Sequence, residues 1–418
     1  MTPADPFAAL PRLLLDFDRP PGLLKADYTD FLVEELPLYE PSGNGTHTYF
    51  LLEKRGLSTM QAVADLARAL NVRRRDIGYA GLKDARAVTR QWLSVEHVPP
   101  ERLHELDIPR LRVLEVSTHT NKLRLGHLRA NRFTIRVRQT QPHRLPELRH
   151  ALDTLAQRGV PNYFGRQRFG GRGDAWRIGH AIIRGNIDEA IDLILGRPGP
   201  LDQGDIRRAR QLYDAGKYAN AARAWPGMFR DERRALKTLA RTGGKRKRAF
   251  YAIDASLRKF YVSAYQSYLF NETVATRLPS GLDHLLAGDL AWLHRSQAVF
   301  LVDDPATEQP RADTFEISPT GPLFGYRMTE PTGQPGEIEH HILANQQLTP
   351  ESFRAGKLRV KGARRPLRFQ PANASIQLGA DAAGPYLELR FTLPRGCYAT
   401  ALIRELFADA YATGPRQP

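Results

Sequence analysis

Apolar positions follow two rhythms along this chain, and the rhythm changes from segment to segment. Residues 31–36 and 49–52 are short apolar-rich runs, and PSGNG at 41–45 supplies a turn between them, so two strands are expected here. Ser58 and Gln61 then make an S-x-x-Q capping box. Beyond it Met60, Val63, Ala64, Ala67 and Leu70 recur at helical spacing, and the helix should end near Asn71. Residues 77–84, IGYAGLKD, read as a strand entering a glycine-bearing loop, and 85–92 either open a short helix or return to strand. From Lys122 the period is two. Leu123 and Leu125 oppose Lys122 and Arg124; then Phe133, Ile135 and Val137 oppose Arg132, Arg136 and Arg138. Such a strand suits a sheet with one face in a core and a basic face toward either solvent or a polyanion.

Residues 145–157 are patterned as an amphipathic helix. Leu257, Phe260, Tyr261, Ala264, Tyr265, Tyr268 and Leu269 mark a stronger one, which Ser256 could cap. This aromatic stripe is expected in a core rather than as a platform for bases. Residues 280–345 hold short strand-like runs among Gly/Pro turns. The tail returns to strand at 387–393 and helix at 400–407. The pattern has no internal repeat.

Composition narrows the classes. At 418 residues the chain is long for one core, and two domains are expected. No run approaches ~18 uninterrupted apolar residues, and the N-terminal segment lacks the basic start of a secretion signal. Cys397 is the single cysteine, so neither an intrachain disulfide nor a thiolate zinc site is possible, and a cytoplasmic protein is expected. His340–His341 is the one adjacent histidine pair, with no second cluster to complete a ligand set, and no metal is expected. Net charge is +16 and the isoelectric point is near 10.0, a balance that fits a polyanionic partner. Residues 206–248 carry 14 Lys and Arg against 3 Asp and Glu, so the positive charge is concentrated there. GGKRKR at 243–248 reads as a flexible basic loop, with arginines of 207–248 contacting phosphates without sequence preference or forming a solvated face.

The richest chemistry lies around Asp84. Lys83 and Arg86 flank it, and Gly78 and Gly81 would let the backbone approach a ligand. Cations beside a carboxylate keep it ionised, and a positioned carboxylate can serve as nucleophile or base. The plainer alternative is that Asp84 caps a helix at 85–88. No G-x-x-x-x-G-K-[ST], G-x-G-x-x-G or G-x-S-x-G is present, so triphosphatase, dinucleotide and hydrolase readings lack support.

GYAGLKDARAVTRQW, residues 78–92, resembles the signature of the TruD family of pseudouridine synthases, G-x-K-D-x-x-A-x-T-x-Q, with Gly81, Lys83, Asp84, Ala87, Thr89 and Gln91 matching. GLLKADYTDFLVEE at 22–35, LRLGHLRANRFTIRV at 123–137 and VPNYFGRQRFG at 160–170 are similar to further family segments in the same order. SAYQSYLFNETVATRL at 263–278 and LPRGCYATALIRELF at 393–407 match more weakly. Ala130 stands where the family has glycine, and the basic stretch at 206–248 has no clear counterpart.

The resemblance implies an α+β protein with the pseudouridine synthase fold: a mixed, mostly antiparallel sheet flanked by helices. Residues 1–159 and 356–418 would form the catalytic domain, 160–355 an inserted α/β TruD-specific domain, and RNA would bind in a cleft between them. It implies that Asp84 is catalytic, that Phe133 stacks on the target base with Asn131 beside it, and that Lys25 partners Asp84, with Lys83 also at the substrate site. Residue alternation alone places Phe133 in the core. Asn162, Gln167 and Arg168 would, with Phe164 and Phe169, brace the domain junction, or Arg168 would hold phosphate. The implied reaction converts uridine to pseudouridine in tRNA, at uridine 13 in bacterial members and usually in glutamate tRNA, with no cofactor, metal or membrane, in a monomer. A non-catalytic RNA-binding protein of the same fold is the alternative.

Overall fold

The computed structural model describes residues 7–354 and 359–408. Contacts divide the chain into two compact units. One comprises Leu13–Val160 with Phe369–Pro418, the other Met1–Arg12 with Pro161–Arg368. The first unit resumes at Phe369, later than 356, because the strand Ala363–Pro366 is hydrogen-bonded to Ile317–Leu323 in the other unit's own sheet. No helix among the described residues is long and apolar enough to cross a membrane.

The first unit is built on a large mixed sheet. Its strands run in the order Ala372–Asp381, Gly384–Pro394, Leu128–Arg138, Phe31–Pro37, Val88–Glu96, His47–Arg55, Leu111–His119. All of these neighbours are antiparallel except Phe31–Pro37 beside Val88–Glu96. Leu128–Arg138 lies between the two halves, pairing Phe133 with Val33 on one side and with Phe391 on the other. The alternation holds there: Phe133, Ile135 and Val137 enter one core with Leu387, Leu389, Phe391 and the helix Leu145–Arg158. Burying each of these side chains contributes roughly 1.5–3 kcal/mol.

The opposite, basic face of that strand is paired inside the protein. Arg132 meets Glu34 at 3.3 Å, and Arg136 meets Glu388 at 3.3 Å. Arg138 meets both Asp30 and Asp381 at 2.7 Å. Neighbouring strands supply the acids, a complement that a single strand's pattern does not show. The Lys122–Leu125 alternation also forms no strand: Leu123 is buried, Leu125 is exposed, and regular pairing starts at Leu128.

Two helices differ from their patterns in detail. The helix Thr59–Ala69 has the expected capping box, but its buried face is Ala62, Val63, Leu66 and Ala67, leaving Met60 exposed. The long helix Ala255–Arg277 is capped by Asp254, whose side chain accepts from the Ser256 amide, so Ser256 is inside the helix rather than its cap. Tyr261, Ala264, Tyr265 and Leu269 are buried, as a core stripe should be.

The second unit surrounds that helix with shorter ones and a four-stranded sheet of Val299–Leu301, Leu290–Leu293, Ile317–Leu323 and Ala363–Pro366. Residues 206–248 are largely helical: Gly204–Asp214, Tyr218–Ala224 and Arg230–Arg241 lead into Arg246–Ala252. GGKRKR is therefore not a loop. Gly243 and Gly244 make the turn at φ 62° and 83°, and Arg246 already begins a helix.

The Arg138 guanidinium holds the Asp381 carboxyl at about 2, against 3.8 unperturbed. Between those values only the unfolded chain takes up the proton. The pair therefore stabilises the fold fully above the higher value, and its contribution is lost as pH falls toward the lower one. Carboxyl-carbon NMR should show Asp381 ionised at about pH 3, with its midpoint rising toward the ordinary range in Arg138→Gln. An identical midpoint in the variant would remove the guanidinium as the cause.

Candidate active site

Asp84 sits in the loop between the short strand Gly78–Tyr79 and Val88–Glu96. It caps no helix. Residues 85–87 bend straight into the strand, and the Asp84 carboxylate accepts from the Arg86 amide at 3.1 Å, a local turn of the kind aspartate favours. Its other oxygen is ion-paired with the Lys25 ammonium. Lys25 reaches it from a backbone at φ 58°, in the left-handed region that non-glycine residues rarely occupy. The Lys25 ammonium also lies 4.2 Å from the centre of the Phe31 ring. Phe31 meets Phe133 edge-on at 6.2 Å, and Phe133 stacks on Phe391 at 5.2 Å. Asp84, Lys25, Phe31 and Phe133 are thus one continuous set of contacts, although Phe133 itself is 8% exposed.

Groups without access to water hold the loop from beneath. Lys54 is fully buried, and its ammonium donates to the Asp84 carbonyl at 2.9 Å and to the Leu57 carbonyl at 2.5 Å. Burial pushes the Lys54 ammonium down to about 8. Gln91, also fully buried, donates to the Gly81 carbonyl at 3.3 Å and accepts from the Thr59 hydroxyl at 2.9 Å. That hydroxyl in turn accepts from the Lys83 amide at 2.9 Å. Every residue from Gly81 to Asp84 except Leu82 is therefore fastened to a core strand or to the first turn of the helix Thr59–Ala69.

Lys83 does not face Asp84. Its ammonium pairs with Glu35 at 2.5 Å, and Glu35 also accepts from the Trp92 amide at 3.2 Å. Burial pushes the Glu35 carboxyl up, and Lys83 opposes that. Lys25 is thus an ion-pair partner of the Asp84 carboxylate and the Arg86 backbone amide a neutral donor to it, while Lys83 pairs with Glu35. Asn131 lies across the strand pair from Glu35, and its buried side-chain oxygen finds no hydrogen-bond partner. Gly78 owes its identity to packing, since a Cβ there would fall 2.3 Å from the Leu123 carbonyl oxygen. Gly81 has room for one, with nothing nearer than 3.6 Å.

The remaining expected residues lie in the second unit. Asn162 donates to the Pro366 carbonyl at 2.8 Å and accepts from Arg365. Arg168 donates to Ser267 at 3.0 Å and to Ser263, both on the long helix. Phe164 exchanges backbone bonds with the Asn271 side chain at 2.8 and 3.0 Å. These are packing contacts within that unit, and Arg168 is committed to serines. Gln167 is exposed.

Lys54, Glu35 and Thr59 were not singled out from sequence. Lys54 did carry a signal. It shares strand parity with Phe50 and Leu52, both buried, so a charge stood at a core position. Gln91 belonged to the signature, but without an assigned role.

Known proteins resemble the chain over nearly its whole length. The family described as tRNA pseudouridine synthase D (TruD) matches residues 12–406. A curated tRNA pseudouridine synthase D of Geobacter sulfurreducens is 46% identical over 386 residues, covering 92% of this chain and 93% of that protein. Its counterpart in Geobacter metallireducens is 46% identical over 92% and 94%. The crystal structure of a Methanosarcina mazei protein described as a tRNA pseudouridine synthase D (TruD) superposes with TM-score 0.78 at 28% identity, over 94% of both chains. The chain is thus a pseudouridine synthase, an isomerase that acts on tRNA. Within that class, the chain belongs to the tRNA pseudouridine synthase D (TruD) family.

Removing Lys83 strands the Glu35 carboxylate in a dry site. Lys83→Met should destabilise the protein by about 3–5 kcal/mol in urea unfolding. Adding Glu35→Gln to that variant should recover part of the loss. A double variant no more stable than Lys83→Met would show that the two side chains act independently.

Proposed function

We propose that this enzyme converts uridine 13 of tRNA to pseudouridine with Asp84 as its catalytic aspartate. The observation that carries the reading is the Lys25–Asp84 ion pair on a loop fastened by buried groups. A reacting carboxylate must be open enough to meet substrate and yet held still, and Asp84 is both: its side chain is 23% exposed.

The target uridine is stacked in folded RNA and has to leave the stack, which costs a few kcal/mol. Phe31 and Phe133 are 5% and 8% exposed, so the extruded base meets this aromatic set at its margin beside Lys25, and stacking there recovers ~1–3 kcal/mol per base. The unpartnered Asn131 oxygen suits a donor on the uracil edge, such as its N3–H. Asp84 then acts at the ribose as the bond from C1′ to N1 breaks. The base turns, C1′ bonds to C5, the proton on C5 departs and N1 gains one. Atoms and charge balance within the nucleotide, and no electron acceptor or group donor takes part.

Lys25 positions the carboxylate, and Lys54 positions the backbone that carries it. Lys83, Glu35, Gln91 and Thr59 keep the loop in one conformation. The substrate set stays with tRNA, as the family's name has it, and the protein's basic character supports that choice.

Asp84→Asn should abolish pseudouridine in unmodified tRNA while leaving RNA affinity within about tenfold, ~1.4 kcal/mol. Carbodiimide labelling of pseudouridine followed by primer extension reads both the reaction and the position, because the isomerisation itself leaves the mass unchanged. Normal turnover by Asp84→Asn would sink the assignment. Tight binding without product from the wild type would leave a non-catalytic RNA-binding protein.

Lys54→Met should lower the single-turnover rate about tenfold or more and change RNA affinity little, because Lys54 holds the loop and not the RNA. The wild-type rate should also fall as pH rises through about 8, where the buried ammonium of Lys54 loses its proton and its grip on the Asp84 carbonyl weakens. In Lys54→Met that limb should vanish. If it persists, another group causes it.

A further inference from the structure

The fourteen cations of 206–248 are not equivalent in the fold. Arg210 is buried against Asp202 at 3.2 Å, Arg234 pairs with Asp231 at 2.8 Å, and Arg246 pairs with Asp192. Arg233 is bonded to the Ala222 carbonyl at 3.3 Å. Arg241, Lys245, Lys247 and Arg248 are different. All four are exposed, none has a carboxylate partner among the described residues, and all four line one open basin of about 1300 Å³. Tyr251 lines the same basin and is 42% exposed, with the Arg258 guanidinium 5.0 Å over its ring.

The framework around these side chains is rigid. The Gly244 amide donates to the Leu239 carbonyl at 2.9 Å, closing the helix Arg230–Arg241, and Gly243–Gly244 then turn the chain into Arg246–Ala252. Two consecutive helices thus present their free cations into one concavity.

Sites for small ligands are usually enclosed, mostly apolar and about 300–1,000 Å³. This basin is larger and open, and its lining holds four free cations against one carboxylate, Asp188. Four unpaired cations spread around a basin of this size suit several phosphates, not one small anion. An exposed, guanidinium-backed aromatic ring adds a face on which an unpaired base can stack. We propose that the surface formed by Arg241, Lys245, Lys247, Arg248 and Tyr251 docks the backbone of the substrate RNA, apart from the reacting nucleotide. The inference rests on the reading of the protein as a tRNA enzyme for the identity of the RNA. An acidic protein partner is the competing occupant.

The test uses full-length protein. Lys245→Glu, Lys247→Glu and Arg248→Glu are combined in one variant, with Tyr251→Ala as a second. Affinity for an unmodified tRNA transcript is measured from low to moderate salt, beside single-turnover pseudouridine formation at saturating RNA. The triple variant should bind tRNA at least tenfold more weakly, and the slope of log affinity against log salt should flatten by about 2–3. Its rate at saturation should equal that of the wild type, because the basin does no chemistry. Tyr251→Ala should weaken tRNA binding and leave the affinity for a fully paired duplex unchanged.

Wild-type affinity and salt slope in a triple variant that still makes pseudouridine would overturn the proposal and leave the enzyme assignment intact. A wild type that makes no pseudouridine would overturn the enzyme assignment, and the affinities alone would then decide the basin. A triple variant that keeps its tRNA affinity but no longer captures an acidic polypeptide would assign the surface to a protein.

Discussion

A carboxylate that faces solvent can be held still only by groups that do not, and here those groups are charged. Lys54 is buried with its ammonium against two backbone carbonyls, and Glu35 and Lys83 form an ion pair whose side chains are 1% and 7% exposed. Taking an ion out of water costs several kcal/mol, and that loss is offset only where each remaining hydrogen-bonding direction is filled. The sheet fills them. Glu35 accepts from the Trp92 amide across the parallel pair, and Gln91 of the same strand fastens Gly81. The one parallel pairing among the central strands, Phe31–Pro37 beside Val88–Glu96, thus brings the glutamate, the glutamine and the aspartate loop together. Antiparallel neighbours on either side keep that pairing in register.

The same logic sorts the positive charge of the molecule into two kinds. On the sheet, arginines are consumed by acids of adjacent strands, as with Arg138 between Asp30 and Asp381. Those cations stabilise the fold and offer nothing to a polyanion. On the helices near Gly243 and Gly244, Arg241, Lys245, Lys247 and Arg248 have no such acid among the described residues and remain available. A net charge read from composition treats both kinds alike. Only the distribution of carboxylates in space separates charge that holds the protein together from charge that reaches outward.

That distinction also explains how much could be read from the amino-acid order. The strand at 128–138 announced itself through alternation, that at 31–37 as a short apolar run, and the Ser58–Gln61 box located a helix start, because these signals are local, whereas 85–92 stayed open between helix and strand. The signature around Asp84 marked the loop for the same reason. Lys83, adjacent to Asp84 in sequence, pairs with Glu35, a partner 48 residues away that sequence proximity could not indicate. The support beneath the loop was out of reach because Lys54, Gln91 and Thr59 meet only after three elements pack. In the helical unit, GGKRKR reads as a flexible loop by composition, but a glycine pair that can adopt positive φ also lets a new helix start.

The central strand Leu128–Arg138 has one further consequence, for the order of events during synthesis. Arg136 hydrogen-bonds to Glu388, 252 residues later. While the ribosome is still translating the helical unit, the strand's partner Gly384–Pro394 does not yet exist, and one side of Leu128–Arg138 is an open edge of backbone donors and acceptors beside Phe133, Ile135 and Val137. At about 5–20 residues per second that exposure lasts on the order of ten seconds or more. An unpaired apolar edge is a template for pairing with another chain. The nascent protein therefore passes through an interval of greatest vulnerability to aggregation, and it ends when the last strand closes the sheet.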